Sequence, residues 1–179
     1  MTDLFGLQTT LPCLSLWEPW ASLIVAGVKH HETRHWPTKV RGRVAIHAAK
    51  RCERDVGVHL DDLCSRTLGP DWPTTRPAGC VVAVAELTAC RRAEDVWDEW
   101  EQASIRGGPR PEQRSDHVAG NFGPGRFAFR LVDVRPLREP LPLLGRQGFF
   151  RWTTPADLEA RLLPPVDQAA AAERWEMRS

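Results

Sequence analysis

Apolar positions follow two different periods along this chain, and the switches between them mark its elements. Leu14 to Trp17 reads as a short strand, and Pro19 ends it while opening a helix at its first turn. Trp20, Leu23, Ile24 and Val28 then fall at helical spacing, with Gly27 placed for a left-handed cap. His30 to Trp36 is polar, β-compatible and closed by Pro37, and Gly42 to Ala49 alternates as a further strand. Arg54 to Leu68 fits a helix stopped by Gly69-Pro70, and the Pro-, Thr- and Gly-rich stretch 69–79 fits a loop. Val81 to Leu87 is apolar on both faces except for Glu86, which predicts a central strand. Ala93 to Ala103 is helical with Trp97 and Trp100 on one side, and 106–125 is a long loop rich in Gly and Pro. Phe127 to Val134 gives another strand, Pro136 to Gly145 is turn-rich, and a last helix from about Val166 to Met177 packs back through Trp175.

Short strands outnumber helices here, and no regular strand–helix alternation points to a parallel doubly wound sheet. The pattern predicts an α+β fold around a small, partly open barrel. With 179 residues the chain is long enough for one well-packed core and short for two. Its 24 basic and 23 acidic residues leave a formal charge of +1, so any nucleic-acid contact has to be local. The five cysteines, Cys13, Cys52, Cys64, Cys80 and Cys90, include no CxxC pair, which argues against a disulfide framework and against a zinc ribbon. Met1 to Phe5 lacks a basic region leading into an apolar one, and no stretch reaches the ~18 apolar residues of a membrane helix. The expectation is a cytoplasmic protein without a membrane partner, a metal or a cofactor.

The chemistry concentrates after the first helix. On an extended chain His30, Glu32 and Arg34 share one face, and His31, Thr33 and His35 the other. Lys29 falls at the helix–strand junction, near the helix's C-terminal carbonyls and facing a cleft. Lys29, Glu32 and Arg34 can hold one another ionised, and together they offer a base and cationic oxyanion stabilisers. A surface ion-pair strip is the plainer alternative. Metal binding by the histidines is disfavoured, because His31 and His35 would lie ~13 Å apart at ~3.3 Å per residue, whereas one ion needs ligands at ~2 Å.

Glu86 either pairs with Lys29 or Arg34 or lies solvated at the strand's end, since a buried carboxylate without a partner is too costly. His47 reads as a satisfied histidine in or beside the core, with a catalytic role as the alternative. Arg41, Arg43, Lys50 and Arg51 form a basic flank suited to phosphate or to plain solvation. Most of the eight tryptophans belong to the core, while Trp20 and Trp36 lie near enough to the motif to stack on a base. The chain has no Walker loop, no GxGxxG after a strand, no HExxH and no GxSxG.

Several segments in order resemble the ASCH domain family. They are Leu14-Ser15-Leu16-Trp17-Glu18-Pro19-Trp20-Ala21, then Gly27-Val28-Lys29-His30-His31-Glu32-Thr33-Arg34, then Arg41-Gly42 with Ile46-His47-Ala48-Ala49-Lys50. The second matches every fixed position of the family's GxKxxExR motif. The likeness continues at Val82 to Leu87 and at Phe122-Gly123-Pro124-Gly125-Arg126-Phe127, and ends near Gly145 to Phe150.

The resemblance implies a small PUA-like β-barrel flanked by helices, with a lead-in over 1–11, the domain over 12–152 and a helical extension over 153–179. It implies a cleft that binds RNA or a nucleoside. Bacterial relatives hydrolyse the N4-acetyl amide of acetylated cytidine with a motif lysine, a threonine three residues later and a glutamate further on. Lys29 matches that lysine, Glu32 stands in the threonine's position, and Glu101, Glu112 or Asp116 could supply the distal carboxylate. Two readings follow. In one the cleft binds a base, using Trp20, Arg34, Trp36, Arg41, His47, Lys50, Phe122 and Arg126. In the other it is an amidohydrolase of N4-acylated cytidine, with Lys29, Glu32 and Glu86 as catalytic residues.

Overall fold

The computed structural model describes residues 9–176, so residues 1–8 of the lead-in expected over 1–11 and the last residue of the expected final helix lie outside the described residues, while Thr10 and Leu11 already belong to the first strand. The chain runs β1 (Thr10–Glu18), α1 (Trp20–Val25), β2 (His31–Arg34), β3 (Gly42–Cys52), α2 (Val58–Leu68), β4 (Cys80–Arg92) and α3 (Ala93–Ile105). A 3-10 turn (Pro111–Gln113) follows, then α4 (Ser115–Val118), β5 (Phe127–Pro142), β6 (Phe149–Thr153), α5 (Leu158–Arg161) and α6 (Gln168–Glu176). Gly57, at φ 74°, starts α2 later than its apolar spacing predicts. Gly27, at φ +81°, sits in the tight turn after α1 that leads into β2. At α6 the Asp167 carboxylate accepts from the Ala170 N–H at 3.0 Å, which fixes its start.

The strands form one six-stranded mixed sheet in the order β2-β5-β4-β3-β1-β6, with β1 and β3 parallel and every other pair antiparallel. The barrel expected from the sequence is not closed by hydrogen bonds, because β2 and β6 are the two edges of this sheet. Side chains cover the gap between them. Arg34 of β2 donates from Nη2 to the Ser15 carbonyl of β1 at 2.9 Å. The Trp36 ring meets Phe129 at 5.2 Å and Phe149, the first residue of β6, at 6.0 Å.

Strand β5 is longer than its apolar pattern predicts, since it continues through the stretch that reads as turn-rich. Pro136 is tolerated there because β2 pairs only with Phe127 to Arg130. Beyond that point the C-terminal segment covers the free edge, with Leu163 N–H donating to the Pro136 carbonyl at 2.8 Å and Val166 N–H to Val134 at 2.9 Å. Three register shifts against β4 bend the strand.

Both faces of β4 are buried from Cys80 to Ala85, as the apolar run predicts. Val82, Ala85 and Leu87 join Leu14, Leu16, Ile24, Ile46 and Phe129 under α1. Val81 and Val84 join Leu137, Trp152, Leu158 and Leu162 on the other side. A third cluster packs Leu23 and Val28 against Leu60, Leu63, Trp72 and Ala171, which ties α2 and α6 to the base of the motif. All five cysteines are free, and burial pushes the Cys13 and Cys64 thiols up to about 12, so both stay protonated. No helix among the described residues is long and apolar enough to cross a membrane.

Gly27 joins α1 to the motif strand with α6 close behind it, since a Cβ there would stand 3.3 Å from Val166 Cγ2 and 3.4 Å from the Ala171 Cβ. Gly27→Ala is expected to cost roughly 1–2 kcal/mol through backbone strain at positive φ, read as a lower urea midpoint with an unchanged m-value. A midpoint equal to wild type would show that the turn relaxes freely.

Candidate functional site

After α1 the backbone folds back so that the Val28 and Lys29 N–H groups both donate to the Leu23 carbonyl, each at 3.2 Å. This turn aims the Lys29 side chain inward. Lys29 is completely buried, and its ammonium donates to the His31 carbonyl at 2.6 Å and the Ala119 carbonyl at 2.9 Å. Glu32 Oε2 lies 3.5 Å from the same nitrogen. Its other oxygen stands 2.8 Å from Arg34 Nε. The result is a Lys–Glu–Arg relay with the carboxylate held between two cations. Lys29 therefore does not lie along the carbonyls of α1, as its place in the sequence suggests. It is an internal tie between β2 and the segment after α4.

Glu32 and Arg34 do share a face of β2, as alternation predicts. His30 does not join them, because β2 begins only at His31. The His30 ring turns to the Gly27 carbonyl, 2.9 Å from Nε2. Burial lowers its pKa. Glu32, Arg34, Trp17, Trp20, Asn121 and Arg126 line a cavity of about 360 Å³. Thr33 faces it too. Its hydroxyl accepts from the Asn121 N–H at 3.0 Å, and its carbonyl accepts from Arg126 Nη2 at 3.2 Å.

The other side of β2 is organised by Asp116. One carboxylate oxygen accepts from the backbone N–H groups of His30 and His31 at 2.6 and 2.9 Å, and the other lies 2.9 Å from His31 Nδ1. Burial by itself would raise the Asp116 pKa. The hydrogen bond from His31 and the nearby His31, His30 and Lys29 outweigh it and hold the group well below the usual carboxylate range. Of the carboxylates that could supply a distal partner, Asp116 is the one the motif strand recruits, and it faces away from the Glu32 cavity. Glu101 is exposed and takes the Trp97 indole N–H at 2.8 Å, while Glu112 lies on the exposed 3-10 turn.

Several expected site residues belong elsewhere. Glu86 is half-buried opposite Arg43 in the β3–β4 ladder and lines neither side of the motif, because Lys29 and Arg34 already share Glu32. Trp36 is committed to the sheet seam. Phe122 is buried against Trp100, 4.6 Å between centroids, and has no open face toward the Glu32 cavity. Arg41 folds onto the carbonyls of Thr38 and Val40, at 3.1 and 2.6 Å.

The basic flank is divided by the length of β3. Arg43 at one end pairs with Glu159 at 2.6 Å, whereas Lys50 and Arg51 lie at the other. His47 is buried with both ring nitrogens bonded, Nδ1 to Ser15 Oγ at 2.9 Å and Nε2 to the Leu143 carbonyl at 3.0 Å. A carbonyl can only accept, so Nε2 carries the proton and Nδ1 accepts from Ser15. Burial lowers its pKa in the same sense, and His47 is a neutral core histidine. No group of three or more His, Cys, Asp or Glu among the described residues could hold a metal ion.

Trp17, Ala119 and Asn121 complete the site although the motif does not contain them. Trp17 carried a hint, being an apolar residue at the polar end of a strand. Ala119 acts through its carbonyl alone, which no side-chain pattern reveals.

An α+β sheet whose motif segment carries a buried lysine and an ion-paired glutamate beside a cleft defines the class. The ASCH domain model matches residues 14–136, and the chain belongs to that family. It is 34% identical over 95 residues to activating signal cointegrator 1 of Mus musculus, a match that takes in 51% of this chain and 16% of that protein. It is 38% identical over 81 residues to the Homo sapiens protein of the same name, covering 44% of this chain and 14% of that one. The chain therefore matches only a small part of the length of these relatives. Among solved structures, ASCH from Zymomonas mobilis aligns with a TM-score of 0.47 and 21% identity over 86% of this chain and 96% of that one.

Two outcomes are expected. Lys29→Met removes a cation that Glu32 and two carbonyls depend on, and should destabilise by roughly 3–5 kcal/mol; a chemical melt close to wild type would mean that Glu32 does not need Lys29. Asp116 has a depressed folded pKa, so its contribution is present above its unfolded value, about 3.9, and is lost as pH falls through the folded value. Asp116→Asn should therefore lower stability at pH 7 and flatten the acid limb of the urea-midpoint profile. An unchanged acid limb would assign acid sensitivity to other carboxylates.

Proposed function

We propose that this chain is a binding module that takes one unstacked base, of single-stranded RNA or of a nucleoside, into the Glu32 cavity. The observation that carries the reading is the pairing of indoles with a fixed polar floor. Trp17 and Trp20 line a cavity of about 360 Å³ that also contains Glu32, Arg34 and Asn121. Ligand pockets begin at roughly 300 Å³, so the space suits one base rather than a paired duplex. RNA recognition favours splayed bases stacked on aromatic rings with their edges hydrogen-bonded. Glu32 offers an acceptor to an exocyclic amine, and Asn121 offers a donor and an acceptor in one amide. Residues 12–152 carry the site in this reading, and 153–179 are an extension that supports it. The curled sheet, bridged by Arg34 and Trp36, is read as a PUA-like barrel with its seam covered by side chains.

Amide hydrolysis in the same cavity would require a free donor for the oxyanion formed when water attacks. An ammonium has three protons, and Lys29 is surrounded by three acceptors, the carbonyls of His31 and Ala119 and the Glu32 carboxylate. Arg34 spends two of its five N–H donors on Glu32 and Ser15 and keeps the others, so it is the motif lysine that has no free proton for an oxyanion. The arrangement supports binding over turnover.

Calorimetric titration with the common ribonucleosides and with short single-stranded oligoribonucleotides tests the proposal. Stacking is worth about 1–3 kcal/mol per base, so Trp20→Ala should weaken binding by roughly five- to a hundred-fold while the fold survives. Absence of binding to every ribonucleoside and single strand tested would overturn the reading. Release of acetate from N4-acetylcytidine by the wild-type protein would replace it with the hydrolase.

A further inference from the structure

A second cavity, about 540 Å³, adjoins the first and shares two of its walls, Trp17 and Arg34. Its other sides are His47, Lys50 and the β5–β6 connection from Leu143 to Gly148. That connection is held in place at both ends: Leu143 N–H donates to the Gly79 carbonyl at 3.0 Å, and the Gly148 carbonyl accepts from Ser15 N–H at 3.3 Å. At its middle Gly145 lies against the His47 ring so closely that a Cβ would stand 2.3 Å from Cε1. His47 is neutral and fully bonded, so it serves as the floor. Lys50 lies along Gly79, where a Cβ would meet its Cε at 3.0 Å.

The charge of this cavity is one-sided. Arg34, Lys50 and Arg146 line it, and no aspartate or glutamate does. Neither Lys50 nor Arg146 has a carboxylate or side-chain hydrogen-bond partner among the described residues. Arg51 adds a further cation at the shared rim, with its guanidinium 3.6 Å from the centroid of the exposed Trp17 ring. Three cations lining one cavity with no carboxylate among them give it a positive field that favours an anion. The cavity behind β2 differs, because Arg91 there is paired with Glu99 at 2.7 Å and Asp116 lines it as well.

We infer that the second cavity is a phosphate subsite, so that the ligand is a nucleotide whose base fills the Glu32 cavity and whose phosphate lies among Arg34, Lys50 and Arg146. This rests on the base-binding reading above and narrows it from nucleosides in general to phosphorylated ones. Lysine and arginine grip phosphate oxygens through charge-assisted hydrogen bonds, arginine with two parallel donors. The shared rim at Trp17 is where the sugar joining base to phosphate would cross. Two sources provide this chemistry, an internal nucleotide of a single strand and a free mononucleotide.

The test is a set of titrations of the whole chain with each ribonucleoside, its 3′- and 5′-monophosphates, and a tetraribonucleotide. The quantity read is the affinity gained on adding phosphate. In wild type it should be about ten-fold or more, the effect of one charge-assisted contact, with a log–log salt slope of about one to two. In a Lys50→Ala/Arg146→Ala variant the gain should shrink to about one-fold, and in Lys50→Arg it should persist. Thermal melting of each variant checks that the exposed substitutions leave the fold intact. A tetranucleotide binding tighter than both monophosphates identifies the strand as the source, and equal affinities identify the free nucleotide. Nucleoside binding with no phosphate gain, or a gain that survives in the double variant, overturns the subsite and leaves the base cavity standing. Binding of neither nucleosides nor nucleotides overturns both.

Discussion

The enclosed ammonium of Lys29 is the constraint around which the rest of the site is arranged. An unpaired charge in the interior costs several kcal/mol even after relaxation, so its surroundings have to supply acceptors. The motif supplies two of them from its own strand, the His31 carbonyl and Glu32, and the segment after α4 supplies the third through Ala119. Each acceptor constrains a neighbour in turn. Glu32 is steadied by Arg34, and Arg34 reaches across the sheet seam to Ser15. One buried cation thus links the motif strand, the long connection and the first strand.

The two sides of β2 divide the electrostatic work. On one side Asp116 accepts from two backbone N–H groups and lies against the His31 ring, and fixes where the strand starts. On the other the Lys–Glu–Arg relay faces the tryptophan-lined cleft. Ser115 Oγ, next to the same aspartate, donates to the Val28 carbonyl at 2.6 Å. The short helix α4 is therefore fastened to the motif by side chains at its first two residues and by a carbonyl beyond its end.

Much of this was legible in the sequence, and for identifiable reasons. The motif lies in a short local segment, so alternation was enough to bring Glu32 and Arg34 together. The apolar run of β4 required cover on both faces, and α1 with α5 provide it. Glu86 misled because a charge inside an apolar run suggests a buried partner, whereas the strand outlasts its apolar stretch and Glu86 sits half-exposed beside Arg43. Trp36 and Phe122 are near the motif in sequence or by family likeness, yet ring packing turns both into core. Arg41, Arg43, Lys50 and Arg51 looked like one flank only because a strand's length is invisible in a list of charges. The long loop was expected to matter, and besides the Asn121 and Ser115 side chains its contributions are a carboxylate to backbone N–H groups and a bare carbonyl. Neither has a spacing rule.

The hydrogen bond from Lys29 to Ala119 joins positions 90 residues apart. During synthesis the entire GxKxxExR segment is made long before the carbonyl that completes its lysine exists. A fragment ending short of Ala119 would contain every recognisable letter of the motif and yet leave that lysine one acceptor short, free to find water instead. The family signature is thus local text, while the site it announces is assembled only when the middle of the chain has returned to it.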